Sequence, residues 1–471
     1  MAKDLRTFIH EIASTMPEEI QLVTEEVDPK FGVTAIAGKL AQQQKFPALY
    51  FTRMKGSALP LVINLTASYE RLALALGTTV AEMATAYGER QAKPIPPQVV
   101  RDGPVREMIL TGERAKLSLL PIPTHNELDS GAYITGGVLI CKDPDTGLHN
   151  SGMYRHEVQG ERQLGVYFQG SHHGGAIYKR YAEKNRPMEV AIAIGHYPTF
   201  MLGAVSRLPG LGGEFEEAGA LLGEPLELVK AETVDLLVPA RTEIVIEGEI
   251  PPHETHFEGP FGEWPGYYVA EGEQPFIKVK AITMRKDAIY YNVFPASQEH
   301  LVLGSLPRMG SIYRRVKENV PGVVNVNVPA HARTHCYLSI RKSNEAEPKE
   351  AAMTALKTEP ENLRFIIVVD EDIDVFNESQ VMWAVGTRFR AEKDLTVIPD
   401  WSGPGGLNPS NWEYGVDESR KPVMGSAMIL DATMPAPPLR FPPRTKPPEE
   451  LISRAEPEKL LKRFDPKLVK P

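Results

Sequence analysis

The sequence predicts a multidomain protein that mixes α/β and all-β parts: an N-terminal α/β domain, a central small β-barrel, and a C-terminal α/β domain with a helical tail. Three observations carry this expectation. The chain has 471 residues, 42% hydrophobic and 24% charged, which is enough for two or three globular cores. Between Ile134 and Val293, short apolar runs alternate with turn residues. From about Pro307, helical and strand patterns alternate.

The elements follow in order. Leu5, Phe8, Ile9 and Ile12 recur at helical spacing. Pro47 to Phe51 resembles a short strand, and Leu72 to Tyr87 reads as helix. The run AKPIPP, Ala92 to Pro97, breaks that pattern, because each proline fixes φ and removes a donor. In the middle of the chain GGVLICK is bounded by DPDTG, and MYRHEV and LGVYFQ flank the turn QGERQ. That is a meander of hairpins. EIVIEGEI, FIKVKAITMR and AIYYNVF add strands suited to a small barrel, interrupted by one helix near Ile177 to Glu183. Further on, a helix over Ser311 to Glu318 precedes the strand YLSIRK, and a helix over Pro348 to Leu356 precedes RFIIVVDED. Another helix surrounds Trp383, and DLTVIP reads as strand. The tail is proline-rich from Pro435 to Pro448 and helical from Glu449 to Phe464, a form that packs on a neighbouring copy. The expected domains are 1–115, 116–305 and 306–471.

Composition excludes several classes. The net charge of −9 gives no basic stripe, so nucleic acid is not an expected partner. Cys141 and Cys336 form no CxxC pair, which argues against a disulfide framework or a zinc-thiolate site. The opening MAKDLRTFIHEIAS lacks the apolar region of a secretory signal, and no run of about 18 apolar residues suggests a membrane span. The expectation is a cytoplasmic protein with no membrane partner.

Four segments hold the residues suited to chemistry. HNSGMYRHEVQG carries Asn150, Ser151, Met153, Tyr154 and Arg155; FQGSHHGG carries His172 and His173. GGEFEEAGALLGEP carries Glu214, Glu216 and Glu217; HFEGPFGEWPGYY carries Glu258 and Glu263. Asn, His and Glu form an oxygen-and-nitrogen set that favours magnesium or manganese over zinc. Taken alone, each has a simpler reading. A loop histidine is more often structural, and the three glutamates suit a helix start, where carboxylates complement the dipole. Glu258 and Glu263 flank Phe261 and precede Trp264, so desolvation would raise a carboxyl pKa and suit a proton donor; a polar hairpin loop is the equal alternative. Asn150 and Arg155 are an odd number of residues apart, which on a regular strand sends them to opposite faces, unless a bulge at Gly152 reunites them. HETH is not the HExxH zinc motif, PGLGGEF and GPGGLN match no nucleotide loop, and DEDID, Asp370 to Asp374, reads first as a solvated strand end.

As an ordered set, Asn150, Arg155, His173, Glu214, Glu258 and Glu263 resemble the UbiD-type decarboxylase family, whose members include ferulic acid, polyprenylbenzoate and protocatechuate decarboxylases. EGPFGE, AGALLGEPLELVKAETVDLLVPA, EIVIEGEI and VDEDIDVF share the resemblance, which covers nearly the whole chain. It implies a flavin-binding split β-barrel between the two α/β domains, the last used for oligomerisation as a homodimer or a hexamer. It implies prenylated FMN, supplied by a flavin prenyltransferase. Asn150, Ser151, Met153, Tyr154, Arg155, His172, His173 and Glu214 would bind this cofactor. Asn150, His173 and Glu214 would hold Mn2+ or Mg2+, with K+ nearby. Arg155, Glu258 and Glu263 would be catalytic, Glu263 donating the proton. The implied reaction is reversible non-oxidative decarboxylation of an α,β-unsaturated, aromatic or heteroaromatic acid through a covalent cofactor adduct. One departure stands out: Ala427, in GSAMILDAT, occupies the place of a family lysine, with Arg420 and Lys421 nearby. A flavin oxidoreductase, an inactive subunit of a carboxylase complex and a metal hydrolase remain as alternatives.

Overall fold

The computed structural model describes residues 3–168, 172–206, 210–268, 271–401, 408–416 and 420–463. The expected mixture of α/β and barrel parts is what it shows. At the N-terminus, helix Leu5–Thr15 is capped by Asp4, which accepts from the Thr7 amide at 2.8 Å. Its buried face, Leu5, Phe8 and Ile12, is the one the spacing predicts. A four-stranded sheet follows in the order Ile20–Val27, Ala48–Met54, Leu61–Ile63 and Tyr290–Tyr291. The last strand arrives from far along the chain and ties this region to the middle of the protein. The single helix expected over Leu72 to Tyr87 is two, Tyr69–Leu76 and Met83–Gln91. Gly77, at φ +61, ends the first with a left-handed cap.

The middle of the chain builds a nine-stranded antiparallel sheet. Its path begins with Tyr133–Ile134, His156–Gly160, Gln163–Gly165 and Phe276–Met284. It continues through Ile244–Ile250, Met188–Ile194 and Gly137–Lys142 to His149–Met153, while Met108–Thr111 pairs with Phe276–Met284. Ile192 pairs with Leu139 and Ile246, and Ile246 with Ile282, which gives the sheet its buried apolar face. Each such side chain contributes about 1.5–3 kcal/mol of burial. The two ends of this path are joined by only two residues twice: Thr135–Gly136 links one pair of end strands and Tyr154–Arg155 another. The edges must therefore meet, and the sheet curls into a barrel with a seam at Thr135 and Arg155.

The C-terminal part is a five-stranded sheet ordered Val323–Asn327, His335–Ile340, Phe365–Asp370, Gly425–Ala432, Leu395–Trp401, with a parallel centre. Helix Glu347–Thr358 buries Ala351, Ala352, Ala355 and Leu356 against it. The helix expected from Ser311 starts much earlier. It runs from Gln298 to Asn319, through Pro307, and position 305 lies inside it. Proline removes one helical bond, but Val302, Leu303, Leu306, Met309 and Ile312 are buried on both sides of it, and that packing overrides local propensity. The tail holds two short helices, Glu449–Arg454 and Pro457–Leu460, in place of one; Phe464 lies outside the described residues. Among the described residues no helix is long and apolar enough to cross a membrane.

Candidate active site

Arg155 stands at the barrel seam. Strand His149–Met153 keeps an unbroken register against Gly137–Lys142, so there is no bulge at Gly152. The strand ends at Met153, and the turn that follows brings Arg155 into the same cavity as Asn150. Arg155 Nε donates to Glu258 Oε1 at 2.9 Å and Nη2 to Oε2 at 2.5 Å, a bidentate pair, while Nη1 donates to Glu263 Oε1 at 2.5 Å. Its guanidinium lies 4.2 Å from the Tyr167 ring centre and 4.9 Å from that of Phe261. All three charged groups are buried. Burial opposes charge on Arg155, but Glu263 and Glu258 outweigh it and hold its pKa above the ordinary value. Burial raises the Glu258 carboxyl above its usual range, with Arg155 pulling it back.

The two glutamates converge because the chain doubles back between them. Glu258 ends strand His256–Glu258, and Gly259, at φ +94, permits the reversal that no β-carbon would favour. The segment 126–133 braces this turn. Asp129 Oδ1 accepts from the Gly262 amide at 2.9 Å and Oδ2 from the Asn126 amide at 2.8 Å. The Ser130 amide donates to the Pro260 carbonyl at 2.9 Å, and the Tyr133 ring lies 4.5 Å from Phe261.

A second group lines the same cavity, whose volume is about 460 Å³. Asn150 Nδ2 donates to Glu214 Oε1 at 2.8 Å, and both side chains are buried. Glu214 and His173 are each the first residue of a helix, Glu214–Leu222 and His173–Glu183. All eight residues expected to meet the cofactor line this cavity: Asn150, Ser151, Met153, Tyr154, Arg155, His172, His173 and Glu214. Glu263 lines it too, and Glu258 sits behind Arg155. The acidic helix start divides its labour. Glu214 faces the cavity, whereas Glu217 accepts from Tyr87 Oη at 2.7 Å and Gln91 Nε2 at 3.2 Å and so ties this helix to the N-terminal part.

These residues fit the groups the resemblance implies. Burial pushes the Glu214 carboxyl up to about 7. Ser151 Oγ is buried in the cavity wall without a hydrogen-bond partner among the described residues. Together with Asn150 and Glu214 it makes a polar end suited to a divalent ion and a phosphate. Among the described residues no three or more His, Cys, Asp or Glu side chains cluster as a metal site.

Other sequence candidates fall elsewhere. Ala427 is buried in strand Gly425–Ala432 opposite Ile398, and neither it nor the exposed Lys421 lines the cavity. The side chain of Arg420 lies outside the described residues, as do 169–171 of FQGSHHGG, Pro209 of PGLGGEF and 403–407 of GPGGLN. Asp370 and Asp372 pair with Arg388 at 2.6 and 2.7 Å, an ion-pair network at a strand end. His253 and His256 do not line the cavity.

The cavity also has lining that sequence reading missed: Thr135 at the seam, Tyr167 beside Arg155, and one face of helix Gln298–Asn319; Phe261 and Trp264, expected as apolar neighbours of the two glutamates, line it too. His300, Leu303, Gly304 and Arg308 follow the i, i+3, i+4, i+8 spacing of a single helical face, a signal hidden once Pro307 is taken as a break. Arg333 and Asn362 complete this wall.

Comparison with known proteins gives consistent matches. Models of 3-octaprenyl-4-hydroxybenzoate carboxy-lyase match in three consecutive blocks: its N-terminal domain over residues 16–91, its Rift-related domain over 98–298 and its C-terminal domain over 301–432. The anhydromevalonate phosphate decarboxylase of Methanothermobacter thermautotrophicus is 34% identical over 403 residues, covering 85% of this chain and 91% of that one. The phenolic acid decarboxylase of Sedimentibacter hydroxybenzoicus is 32% identical over 467 residues, 94% of each. Among solved structures, an evolved dimeric form of the UbiD-class enzyme HmfF from Pelotomaculum thermopropionicum, in complex with prFMN, superposes with a TM-score of 0.85 at 34% identity, covering 98% of this chain and all of that one.

Proposed function

The chain belongs to the UbiD family of carboxy-lyases, and from that premise we propose that it removes CO2 from an α,β-unsaturated, aromatic or heteroaromatic acid with prenylated FMN as cofactor. The observation that carries the reading is the buried Glu258–Arg155–Glu263 cluster in the wall of the cavity that Asn150, His173 and Glu214 also line.

The chemistry explains the residue types. Losing CO2 directly from an sp2 carbon would leave a vinyl or aryl carbanion too high in energy to form. Prenylated FMN, when bound, supplies the sink for that electron pair. Asn150, His173 and Glu214 would hold a divalent ion, manganese or magnesium, at the polar end, with potassium close by. Ser151, Met153, Tyr154 and His172 would line the cofactor. Arg155 receives the substrate carboxylate and orients it. Glu258 grips two edges of the guanidinium and fixes its plane. Glu263, on the cavity surface, delivers the proton that replaces CO2 at carbon; in the reverse direction it removes it. The rings of Tyr167 and Phe261 lie against the Arg155 guanidinium and limit its contact with water.

The reading extends to assembly and setting. The exposed Leu451, Leu460 and Leu461 of the tail suit a contact between copies, as a homodimer or a hexamer. Cys141 and Cys336, buried and unbridged, suit the reducing cytoplasm, where a flavin prenyltransferase would supply the cofactor.

The test is to produce the protein together with a flavin prenyltransferase, record its visible and mass spectra, and screen CO2 release from cinnamic, benzoic, furoic, pyrrole and phenazine acids. Bound prenylated FMN with release from one class is expected. Plain FMN or none, with no release from any acid, would overturn the reading.

A further inference from the structure

Behind Arg155 a row of oxygen atoms leads from the buried glutamates to the protein surface. Tyr133 and Glu157 are opposed residues of the antiparallel strands Tyr133–Ile134 and His156–Gly160, which puts their side chains on one face. Ser130 Oγ lies 2.9 Å from Tyr133 Oη and donates to Glu157 Oε1 at 2.5 Å. Gln159 Nε2 donates at 3.1 Å to Glu157 Oε2 and at 3.1 Å to the Phe257 carbonyl, one residue before Glu258. The Tyr133 ring packs on Phe261, and its hydroxyl faces Glu258. Burial raises the Glu258 carboxyl, Arg155 lowers it, Glu157 raises it again and the Tyr133 hydroxyl, as a donor, lowers it. Tyr133 and Glu258 are fully buried, whereas Ser130 is exposed.

The row has three links: Glu157 to Ser130, Ser130 to Tyr133, and Tyr133 to Glu258. Each hydroxyl owns one proton, and an ionised carboxylate owns none. With both end carboxylates ionised, the two hydroxyl protons cannot fill three links, so one link stands empty. A third proton, taken from water at Glu157, completes the row. Glu157 passes it to Ser130 Oγ, Ser130 passes its own to Tyr133 Oη, and Tyr133 passes its own to Glu258. Each hydroxyl ends as it began, and the net change is one proton moved from water to Glu258.

We propose that Ser130 and Tyr133 form a proton relay between solvent and Glu258, with Glu157 as its loading group. The inference rests on the decarboxylase reading for its purpose, since replacing CO2 by hydrogen consumes a proton in every turnover. Glu263 delivers that proton and must regain one. Its Oε1 accepts from Arg155 and its Oε2 from the Trp264 amide at 3.3 Å, N–H groups that do not give up their protons. Glu258 and Glu263 flank the same guanidinium, so their protons belong to the pair, and one gained by Glu258 replaces the one that Glu263 gave up. Neither Ser130 nor Tyr133 lines the cavity, so both act through Glu258.

Kinetics of the cofactor-loaded protein in H2O and D2O test the relay with Tyr133→Phe, which keeps the ring on Phe261, and with Ser130→Ala. Ser130 is exposed, so its variant keeps the test available if Tyr133→Phe does not fold. In both, kcat is expected to fall about 10- to 100-fold with KM little changed. The solvent isotope effect on kcat is expected to rise, because proton supply becomes the slow step. Ser130→Thr keeps the hydroxyl and should restore most of the rate. Exchange of the Arg155 Nε proton for deuterium, followed by NMR on arginine-labelled protein, reads the same row without substrate, because that proton meets Glu258 Oε1. It is expected to slow about tenfold or more in both variants. Parent-like kcat, isotope effect and exchange overturn the relay. So does a lower kcat with isotope effect and exchange unchanged, which would leave Tyr133 a packing role alone. If no acid yields CO2, the decarboxylase reading falls, and exchange decides the relay by itself: slowed exchange upholds it and parent-like exchange overturns it.

Discussion

Arg155 and Glu258 meet edge to edge, with Nε and Nη2 of the guanidinium each donating to one carboxylate oxygen, and this leaves Nη1 to reach Glu263. The fork is what a lysine cannot supply. Arg155→Lys keeps the charge but loses the two-point grip that sets the plane of the group. The expected result is a loss of at least about 100-fold in kcat/KM, with flavin retained in the visible spectrum. Activity within tenfold of the parent would show that charge alone suffices.

Glu263→Gln keeps size and one hydrogen-bond acceptor but has no acidic proton. Formation of the protonated product under multiple turnover is expected to fall by about 100- to 10,000-fold, while bound cofactor remains. Retained turnover would remove Glu263 as the proton donor.

His173→Ala should lower metal and cofactor content together, because both are assigned to one polar end shared with Asn150 and Glu214. Metal analysis and flavin absorbance on the same sample check this. Unchanged flavin with or without metal would sink the ligand assignment.

Asp129 touches no catalytic side chain, yet it accepts from the amide of Gly262, next to Glu263. Asp129→Ala is expected to lower kcat by about tenfold through a misplaced turn, with KM little changed. Asp129→Asn keeps an acceptor oxygen and should restore most of the rate. If both variants lose activity equally and melt early, the residue serves stability alone.

Buried neutral histidines set an acid limit. Burial holds His125 down to about 4, His156 to about 3 and His196 to about 4, each from an ordinary value of 6.5. Below 6.5 the unfolded chain takes up protons that the fold refuses, so stability present above 6.5 is lost as the pH falls toward 4. The loss per histidine approaches about 1.4 kcal/mol for each pH unit. His125→Gln should flatten the dependence of urea-unfolding free energy on pH by up to that amount between 6.5 and 5. An unchanged slope would show that His125 is protonated in the fold.

The sequence by itself determined the mixed fold class, most of the strands and the candidate polar residues that the fold gathers in one cavity. Short runs such as GGVLICK and EIVIEGEI between turn residues, and the apolar spacing of Leu5, Phe8 and Ile12, are local patterns fixed by strand and helix geometry. Asn150, His173, Glu214 and the EGPFGE turn were legible because their residue types and order form a set. What only the tertiary structure decided depends on contacts far apart in the chain. Closure of the barrel at Thr135 and Arg155 follows from which strands become neighbours, and no local period encodes that. Glu217 was separated from Glu214 by a hydrogen bond to Tyr87, 130 positions away. The helix through Pro307 forms because packing on both sides of the proline outweighs its local cost, and only that continuous helix places His300 and Arg308 on one face. Arg333 joins them across Gly304 through a single missing β-carbon, a steric fact that exists only once the two segments touch.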